Sequence, residues 1–173
     1  MDLEKYITNI PDFPKKGIIF RDITTLISNK DAFKEVIRRL ADQYKNKGIT
    51  SIVGIEARGF IFGAALAYEL GAKFVPARKK GKLPRQTYSV EYDLEYGKDS
   101  LEMHKDALGN NENVLIIDDL LATGGTIKAV IQLLDNFSSN IKGIVCVIEL
   151  DDLKGREKLA PYPVTSLIHF KGE

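Results

Sequence analysis

Two adjacent carboxylates, followed by a loop of small and hydroxyl residues, give residues 114–126 the clearest chemistry in the chain. Asp118 and Asp119 end an apolar run, and beyond the loop an apolar spacing of three and four begins, which is typical of a helix. Glycines let the backbone approach a ligand closely, and the first N–H groups of a helix have no partner within it. Strand, loop and helix N-terminus together predict a phosphate site. Its predicted lining residues are Ala122, Thr123, Gly124, Gly125 and Thr126.

The acidic pair predicts what lies beside that phosphate. Like charges repel, so Asp118 and Asp119 suit sugar hydroxyls or a hydrated divalent cation rather than the phosphate itself. A phosphate next to a diol describes a ribose 5-phosphate. An acidic turn after a strand would explain the pair alone, but not the whole segment. No lysine follows the glycines as it does in the P-loop of kinases and ATPases, which argues against those classes.

Composition limits the remaining possibilities. The chain has 173 residues, 44% of them apolar, and a net charge of +1, which predicts one globular domain spanning residues 1–173. Balanced charge gives no reason to expect nucleic acid or a membrane surface as partner, and no segment has the length of a membrane span. The single cysteine, Cys146, lies in an apolar run, so we expect a reducing, cytoplasmic setting.

Short apolar runs alternate with helical patterns along most of the chain. The runs at residues 51–55, 73–77 and 114–117 predict parallel strands, and hence an α/β fold with a mostly parallel central sheet flanked by helices. Ligands of such sheets bind at the carboxyl ends of the strands. Arg58 follows the first of these runs; in isolation it would be a surface ion-pair partner. The spacing of apolar residues over residues 3–10 predicts a short N-terminal helix.

A basic run occupies residues 78–85, interrupted by Gly81 and Pro84. Such a run is usually a solvated loop, but it can also bind nucleic acid or a polyanion such as pyrophosphate. The run lacks the aromatic residues typical of nucleic-acid contacts, and the phosphate site downstream favours the polyanion. Because residues 87–94 alternate as in a strand, we expect residues 78–96 to form a lid with a flexible tip and a hairpin.

Four segments resemble one protein family. Residues 114–126 are similar to the phosphoribosyl pyrophosphate (PRPP) signature of the type I phosphoribosyltransferases, in the form found in adenine phosphoribosyltransferases. The runs Phe-Pro-x-x-Gly-Ile-x-Phe-Arg-Asp from Phe13, Leu-Glu-Tyr-Gly from Leu94 and Leu-Lys-Gly-Arg-Glu-Lys-Leu from Leu153 resemble the same family. The resemblance implies the type I phosphoribosyltransferase fold, with an N-terminal arm and hood over residues 1–27. It also implies conversion of adenine and PRPP to AMP and pyrophosphate, with Mg²⁺, in a homodimer.

The resemblance also implies roles for individual residues. In the hood, the backbone of Ile19 and Arg21 would read the edge of adenine and Phe20 would stack near its ring. Asp118 and Asp119 would hold the ribose diol, with Mg²⁺ held nearby by PRPP and water rather than directly by the protein. Glu95 would assist proton transfer at the base, and Tyr96 would lie over the site. The residues implied to neutralise the departing pyrophosphate or line its site are Arg58, Arg78, Lys79 and Lys82.

Two alternatives remain open at this stage. The first is a phosphoribosyltransferase for another base, namely xanthine, guanine or uracil. The second is a non-catalytic regulator that senses PRPP. The hood and the Leu-Glu-Tyr-Gly element argue against the first, and the regulator would need a DNA-binding segment that we do not find in the sequence.

Overall fold

A seven-stranded sheet forms the centre of the computed structural model, which describes residues 1–93 and 97–172. Five of its strands are parallel: β3 (Ser51–Ile55), β4 (Lys73–Lys79), β7 (Glu112–Leu121), β8 (Ser139–Leu150) and β9 (Val164–Phe170). The antiparallel strands β5 (Thr87–Asp93) and β6 (Lys98–His104) extend one edge, giving the order β5-β6-β4-β3-β7-β8-β9. The predicted α/β fold with a mostly parallel sheet is confirmed.

Helices cover both faces of this sheet. They are α1 (Thr24–Ile27), α2 (Lys30–Tyr44), α3 (Arg58–Leu70) and α4 (Gly125–Leu134). Leu40 of α2 and Phe62 of α3 are fully buried in the core on one face, and Leu133 of α4 is fully buried in the core on the other. Each such side chain contributes about 1.5–3 kcal/mol through burial, so the two cores fix where α3 and α4 begin relative to the strands. Among the described residues, no helix has the length and apolar character needed to cross a membrane.

The N-terminal segment differs from the prediction. Instead of one helix, residues 3–10 contain a 3₁₀ turn, Glu4–Tyr6, followed by strand β1 (Thr8–Pro11), which pairs antiparallel with β2 (Ile19–Asp22) in a separate two-stranded sheet. The prediction was wrong because it assumed that one face would be buried throughout. Long-range pairing with β2 supplies hydrogen bonds that local sequence cannot reveal.

The predicted lid falls into three parts. Arg78 and Lys79 end β4, residues 80–86 form a loop, and residues 87–93 are β5 of the main sheet. The predicted alternation in β5 is confirmed: Tyr88, Val90 and Tyr92 are partly buried, and the Tyr88 ring packs edge-on against Phe137 at 5.3 Å between centroids. Glu95 and Tyr96, the two residues predicted at its far end, lie outside the described residues.

Candidate active site

Three loops that carry the predicted chemistry meet at one edge of the sheet. β4, β3 and β7 are adjacent and parallel, so their carboxyl ends lie side by side. α3 begins directly after β3, and α4 begins after β7. The expectation that these loops share an edge is confirmed, and at such an edge several chain segments can contact one ligand.

The loop after β7 turns sharply into α4. Gly124, the N-cap of the helix, has φ +80° and ψ 0°, a left-handed conformation that glycine adopts without strain. The Lys128 N–H donates to the Gly124 carbonyl at 3.0 Å, so the N–H groups of Gly125, Thr126 and Ile127 precede the first bond of the helix. A cleft with an empty volume of about 280 Å³ opens above these groups. Its lining residues are Asp118, Leu120, Leu121, Ala122, Thr123, Gly124, Gly125, Thr126 and Ile127.

A second glycine holds this loop in place. Gly155 begins a short 3₁₀ helix, Gly155–Leu159, that packs on the loop from behind. A Cβ on Gly124 would lie 2.7 Å from the Gly155 carbonyl oxygen, and a Cβ on Gly155 would collide with the Ala122 carbonyl oxygen. The two backbones therefore touch where neither can carry a side chain. The sequence indicated Gly155 only through the family resemblance. Gly155 and Gly124 are 31 positions apart, so local sequence could not predict their contact.

The acidic pair lies at the end of β7, where the two carboxylates have different surroundings. Asp118 Oδ1 accepts the Asp119 backbone N–H at 2.9 Å, and a Cβ on Gly59 would lie 2.9 Å from the same oxygen. Burial beneath the first turn of α3, together with the neighbouring charge of Asp119, raises the pKa of Asp118 well above its usual range. The free site therefore disfavours the charged form of Asp118, and the charge of Arg58 offsets part of this effect.

Arg58 compensates the charge of the second carboxylate. Its Nε donates to Asp119 Oδ2 at 2.5 Å; the Asp119 side chain is 8% exposed, whereas that of Arg58 is 47% exposed. The other side of the guanidinium faces the hood, with Cζ 6.0 Å from the centroid of the Phe20 ring. Hydrogen bonds from Thr24 and the charge of Arg58 lower the pKa of Asp22. Arg58 thus lies between the acidic pair and the hood.

The basic residues at the end of β4 contact carboxylates. Arg78 donates to Glu56 through Nε at 3.2 Å and Nη2 at 2.9 Å, and the Lys79 backbone N–H donates to Glu56 at 2.9 Å. Arg78, followed by the Lys79 N–H and the charge of Lys82, lowers the pKa of Glu56. Lys79 Nζ lies 3.1 Å from Asp99 Oδ2, and Lys82 is exposed. The structure therefore places Arg58 at the acidic pair, and Arg78 and Lys79 in a separate group beside it.

The hood residues are held from two directions. Phe20 packs edge-on against Phe13, with 5.2 Å between centroids. Arg21 Nη1 donates to Asn9 Oδ1 at 2.8 Å, and its Cζ lies 4.1 Å from the centroid of Phe170 at the end of β9. The Arg21–Phe170 contact brings β2 next to the carboxyl edge of the main sheet.

A further polar group at this edge has the composition of a metal site but forms an ion-pair network. Ligand atoms of Glu149, Asp151 and His169 lie within 4.8 Å of one another. Arg156 donates to both oxygens of Glu149, at 3.0 and 2.5 Å, and His169 Nδ1 lies 2.8 Å from Asp151 Oδ1. Because a guanidinium already neutralises the buried carboxylate, these ion pairs join the end of β8 to the end of β9.

Comparisons with known proteins agree with this geometry. A family model described as phosphoribosyl transferase domain matches residues 24–171. The adenine phosphoribosyltransferase of Solidesulfovibrio magneticus is 56% identical over 168 residues, which are 97% of this chain and 98% of that protein. The crystal structure of adenine phosphoribosyltransferase from Thermoanaerobacter pseudethanolicus matches with a TM-score of 0.93 at 50% identity, covering 98% of both chains. The Saccharomyces cerevisiae enzyme, crystallised with adenine and an imino-altritol bisphosphate, matches with a TM-score of 0.90 at 40% identity over 96% of both chains.

The matching model names the phosphoribosyltransferases, the class whose PRPP signature residues 114–126 resemble. With relatives of this identity over nearly its full length, the chain belongs to the phosphoribosyltransferases and, within them, to the adenine phosphoribosyltransferase family.

Proposed function

We propose that the chain transfers the 5-phosphoribosyl group of PRPP to adenine, giving AMP and pyrophosphate, and so salvages a purine base. One observation carries the proposal: the left-handed turn at Gly124 starts α4 beside a cleft that Asp118, the first residue of the acidic pair, borders at the end of β7. Phosphate and ribose need these two surfaces side by side. The relatives described above are named adenine phosphoribosyltransferases, which supports adenine as the base.

The 5-phosphate would bind between Ala122 and Thr126. Backbone N–H groups at the helix start, with the hydroxyls of Thr123 and Thr126, offer donors to an anion, and the helix dipole adds favourable charge. Hydrogen bonds to a charged acceptor contribute roughly 1.5–3 kcal/mol each. The phosphate, which takes no part in bond breaking, would thereby orient the ribose over the acidic pair.

Asp118 and Asp119 would receive the ribose hydroxyls. A diol provides O–H donors, so its arrival stabilises the charged form of a carboxylate that is disfavoured in the free site. Arg58 already fixes Asp119 and presents its exposed side to the ligand. A guanidinium in that place suits the negative charge that builds up on pyrophosphate as it departs, and Arg78, Lys79 and Lys82 extend the positive surface along the end of β4.

A magnesium ion would bind near the acidic pair together with PRPP. The donor set fits a hydrated ion better than a direct ligand cage, because Asp119 is engaged by Arg58 while Asp118 lies beside it with an oxygen acceptor. Asp118 and Asp119 would hold the ion through water, with the oxygens of PRPP as its direct ligands. The ion would supply charge neutralisation for the diphosphate.

The base would bind under the hood. Ile19 and Arg21 lie opposite Pro11 and Asn9 in the β1–β2 ladder, and Pro11 has no N–H to donate to Ile19. The backbone N–H and C=O groups of Ile19 and Arg21 would read the edge of the planar base. Phe20, between them, offers a ring on the side of Arg58.

Glu95 and Tyr96 complete the proposed mechanism from the residues that follow β5. Glu95 would manage the proton of the purine imidazole ring, which is typically worth about 10²–10⁴ in rate. Tyr96 would cover the site. The C1–pyrophosphate bond would lengthen first, and closure of the lid would keep water from the ribose cation that results.

An assay of pyrophosphate release, with identification of the nucleotide formed, tests the proposal. The purified protein is offered adenine, hypoxanthine, guanine, xanthine and uracil in parallel, each with PRPP and magnesium. Turnover of adenine alone is expected. Turnover of another base would keep the phosphate site but overturn the role of Ile19 and Arg21, and binding of PRPP without turnover of any base would favour a PRPP-sensing protein.

We expect a homodimer, as the family resemblance implies, and sedimentation measurements test this directly. We also expect a cytoplasmic setting, which the buried, unpaired Cys146 favours because no disulfide is available to it within the described residues.

A further inference from the structure

Two buried polar residues on β6 have no part in the site described above. Glu102 is 8% exposed and His104 is 9% exposed. They alternate with Leu101 and Met103, which point to the core beneath α4, so Glu102 and His104 share the opposite face of the strand.

The loop of residues 80–86 crosses that face and contacts both side chains. The Gly81 N–H donates to Glu102 Oε2 at 3.1 Å. At the other end, the Arg85 backbone N–H lies 3.4 Å from His104 Nε2, and Arg85 Nη2 lies 3.2 Å from His104 Nδ1. A neutral imidazole accepts at one ring nitrogen, so His104 is an acceptor for Arg85 at one of these two points.

Backbone bonds to β6 reinforce both ends of the same loop. The Lys80 N–H donates to the Ser100 carbonyl at 3.3 Å, and the Lys105 N–H donates to the Gln86 carbonyl at 2.9 Å. Between these anchors Lys82 remains exposed, with its charge close enough to Glu56 to influence that carboxylate. The anchors therefore hold a seven-residue basic loop, from 80 to 86, with its middle directed to solvent near the end of β4.

We propose that Glu102 and His104 are positioning residues for the reaction, which fasten the loop of residues 80–86 across β6 and so keep Lys82 in place for the pyrophosphate group of PRPP. The inference rests on the proposed function. In the β4–β6 ladder, Glu102 lies directly opposite Arg78. Strand β6 therefore supports both the loop and the end of β4. The group to be bound is a diphosphate, and a mobile loop would position the cations that bind it less firmly than an anchored loop does.

Steady-state kinetics and limited trypsin digestion test the inference together. Glu102→Ala and His104→Ala should each raise KM for PRPP about tenfold, equivalent to roughly 1.4 kcal/mol, while KM for adenine stays within twofold. Glu102→Gln and His104→Gln retain an acceptor for the loop N–H groups and should restore most of the PRPP affinity. Trypsin should cut after Lys80 or Lys82 several times faster in the alanine variants than in the wild type, because the loop is released.

Asp106→Asn is the matched control. Asp106 also contacts the Arg85 guanidinium, at 3.1 Å, but both side chains are more than half exposed, and exposed pairs contribute little. This variant should match the wild type in both assays. An active wild type combined with unchanged KM for PRPP in both alanine variants would overturn the inference alone. A wild type that forms no AMP would overturn the proposed function, and with it the purpose given to the loop, even if digestion shows that the loop is anchored.

Discussion

Replacement of Gly124 by alanine separates backbone strain from damage to the phosphate site, because the chain offers a matched glycine elsewhere. Gly71, after the end of α3, has φ +64°, and a Cβ there would meet no heavy atom within 4 Å. Gly124 has φ +80°, and a Cβ there would lie 2.7 Å from the Gly155 carbonyl oxygen. An alanine in the left-handed region costs roughly 1–2 kcal/mol, so Gly71→Ala should lose about that much free energy of unfolding. Gly124→Ala should lose more, because its Cβ also meets the Gly155 backbone.

The two variants should differ in ligand binding. At Gly124 the added methyl forces the loop and the Gly155 segment apart by several tenths of an ångström, which misaligns the N–H groups that face the phosphate. Loss of one hydrogen bond to a charged acceptor, about 1.5–3 kcal/mol, corresponds to a rise of roughly tenfold to a hundredfold in the Kd for PRPP. Gly71→Ala should leave this Kd within twofold.

Isothermal titration of PRPP with magnesium, paired with urea denaturation of each variant, provides both quantities. The reasoning fails if Gly124→Ala binds PRPP as tightly as the wild type. It fails equally if Gly71→Ala weakens binding by the same factor, because the effect would then come from general loss of stability. The bulkier Gly124→Val should weaken PRPP binding at least as much as alanine, with a circular dichroism spectrum that still shows the folded chain.

Three further predictions concern the charged residues. Arg58→Gln should lower kcat/KM for PRPP at least tenfold and the free energy of unfolding by about 1 kcal/mol. This loss is smaller than for a fully buried pair because Arg58 is half exposed. The double variant with Asp119→Asn should recover the stability in urea denaturation but not the activity in AMP assays. Glu95→Gln should reduce kcat by about 10²–10⁴ with little change in the Kd for PRPP, so full activity would remove Glu95 from the mechanism. For Asp118, the raised pKa means that the unfolded chain loses this proton first as pH rises, so stability is lost between the ordinary aspartate pKa and the raised one. Asp118→Asn should therefore be more stable than the wild type at pH 7–8, with a difference that shrinks towards pH 4, and urea denaturation across this range would reveal a wrong sign.

Much of the central sheet could be predicted because its strands are buried on both faces. β3 is buried at all five positions and β8 at its last eight, so both read as continuous apolar runs. The loop proposed for the phosphate could be located equally well, because its glycines and hydroxyls are contiguous in the chain. A loop whose functional groups come from consecutive residues can be predicted from the sequence alone.

Contacts between distant segments could not be predicted in the same way. Arg58 and Asp119 are 61 residues apart, and only the packing of α3 against β7 brings them to 2.5 Å. The pairing of Arg78 with Glu56 has the same origin, and it places a residue predicted for pyrophosphate in contact with a carboxylate of its own chain. The N-terminal strand β1 was missed because its partner, β2, determines its conformation more than its own apolar spacing does.

The contact of Arg21 with Phe170 joins the second strand of the chain to the last one. During synthesis on a ribosome, the phosphate loop and its helix emerge while the final strand is still inside the exit tunnel. The base end of the cleft, by contrast, gains its contact with the main sheet only when Phe170 has left the tunnel. Nascent chains of increasing length should therefore acquire PRPP binding before adenine binding, so that the enzyme matures from its phosphate end towards its base end.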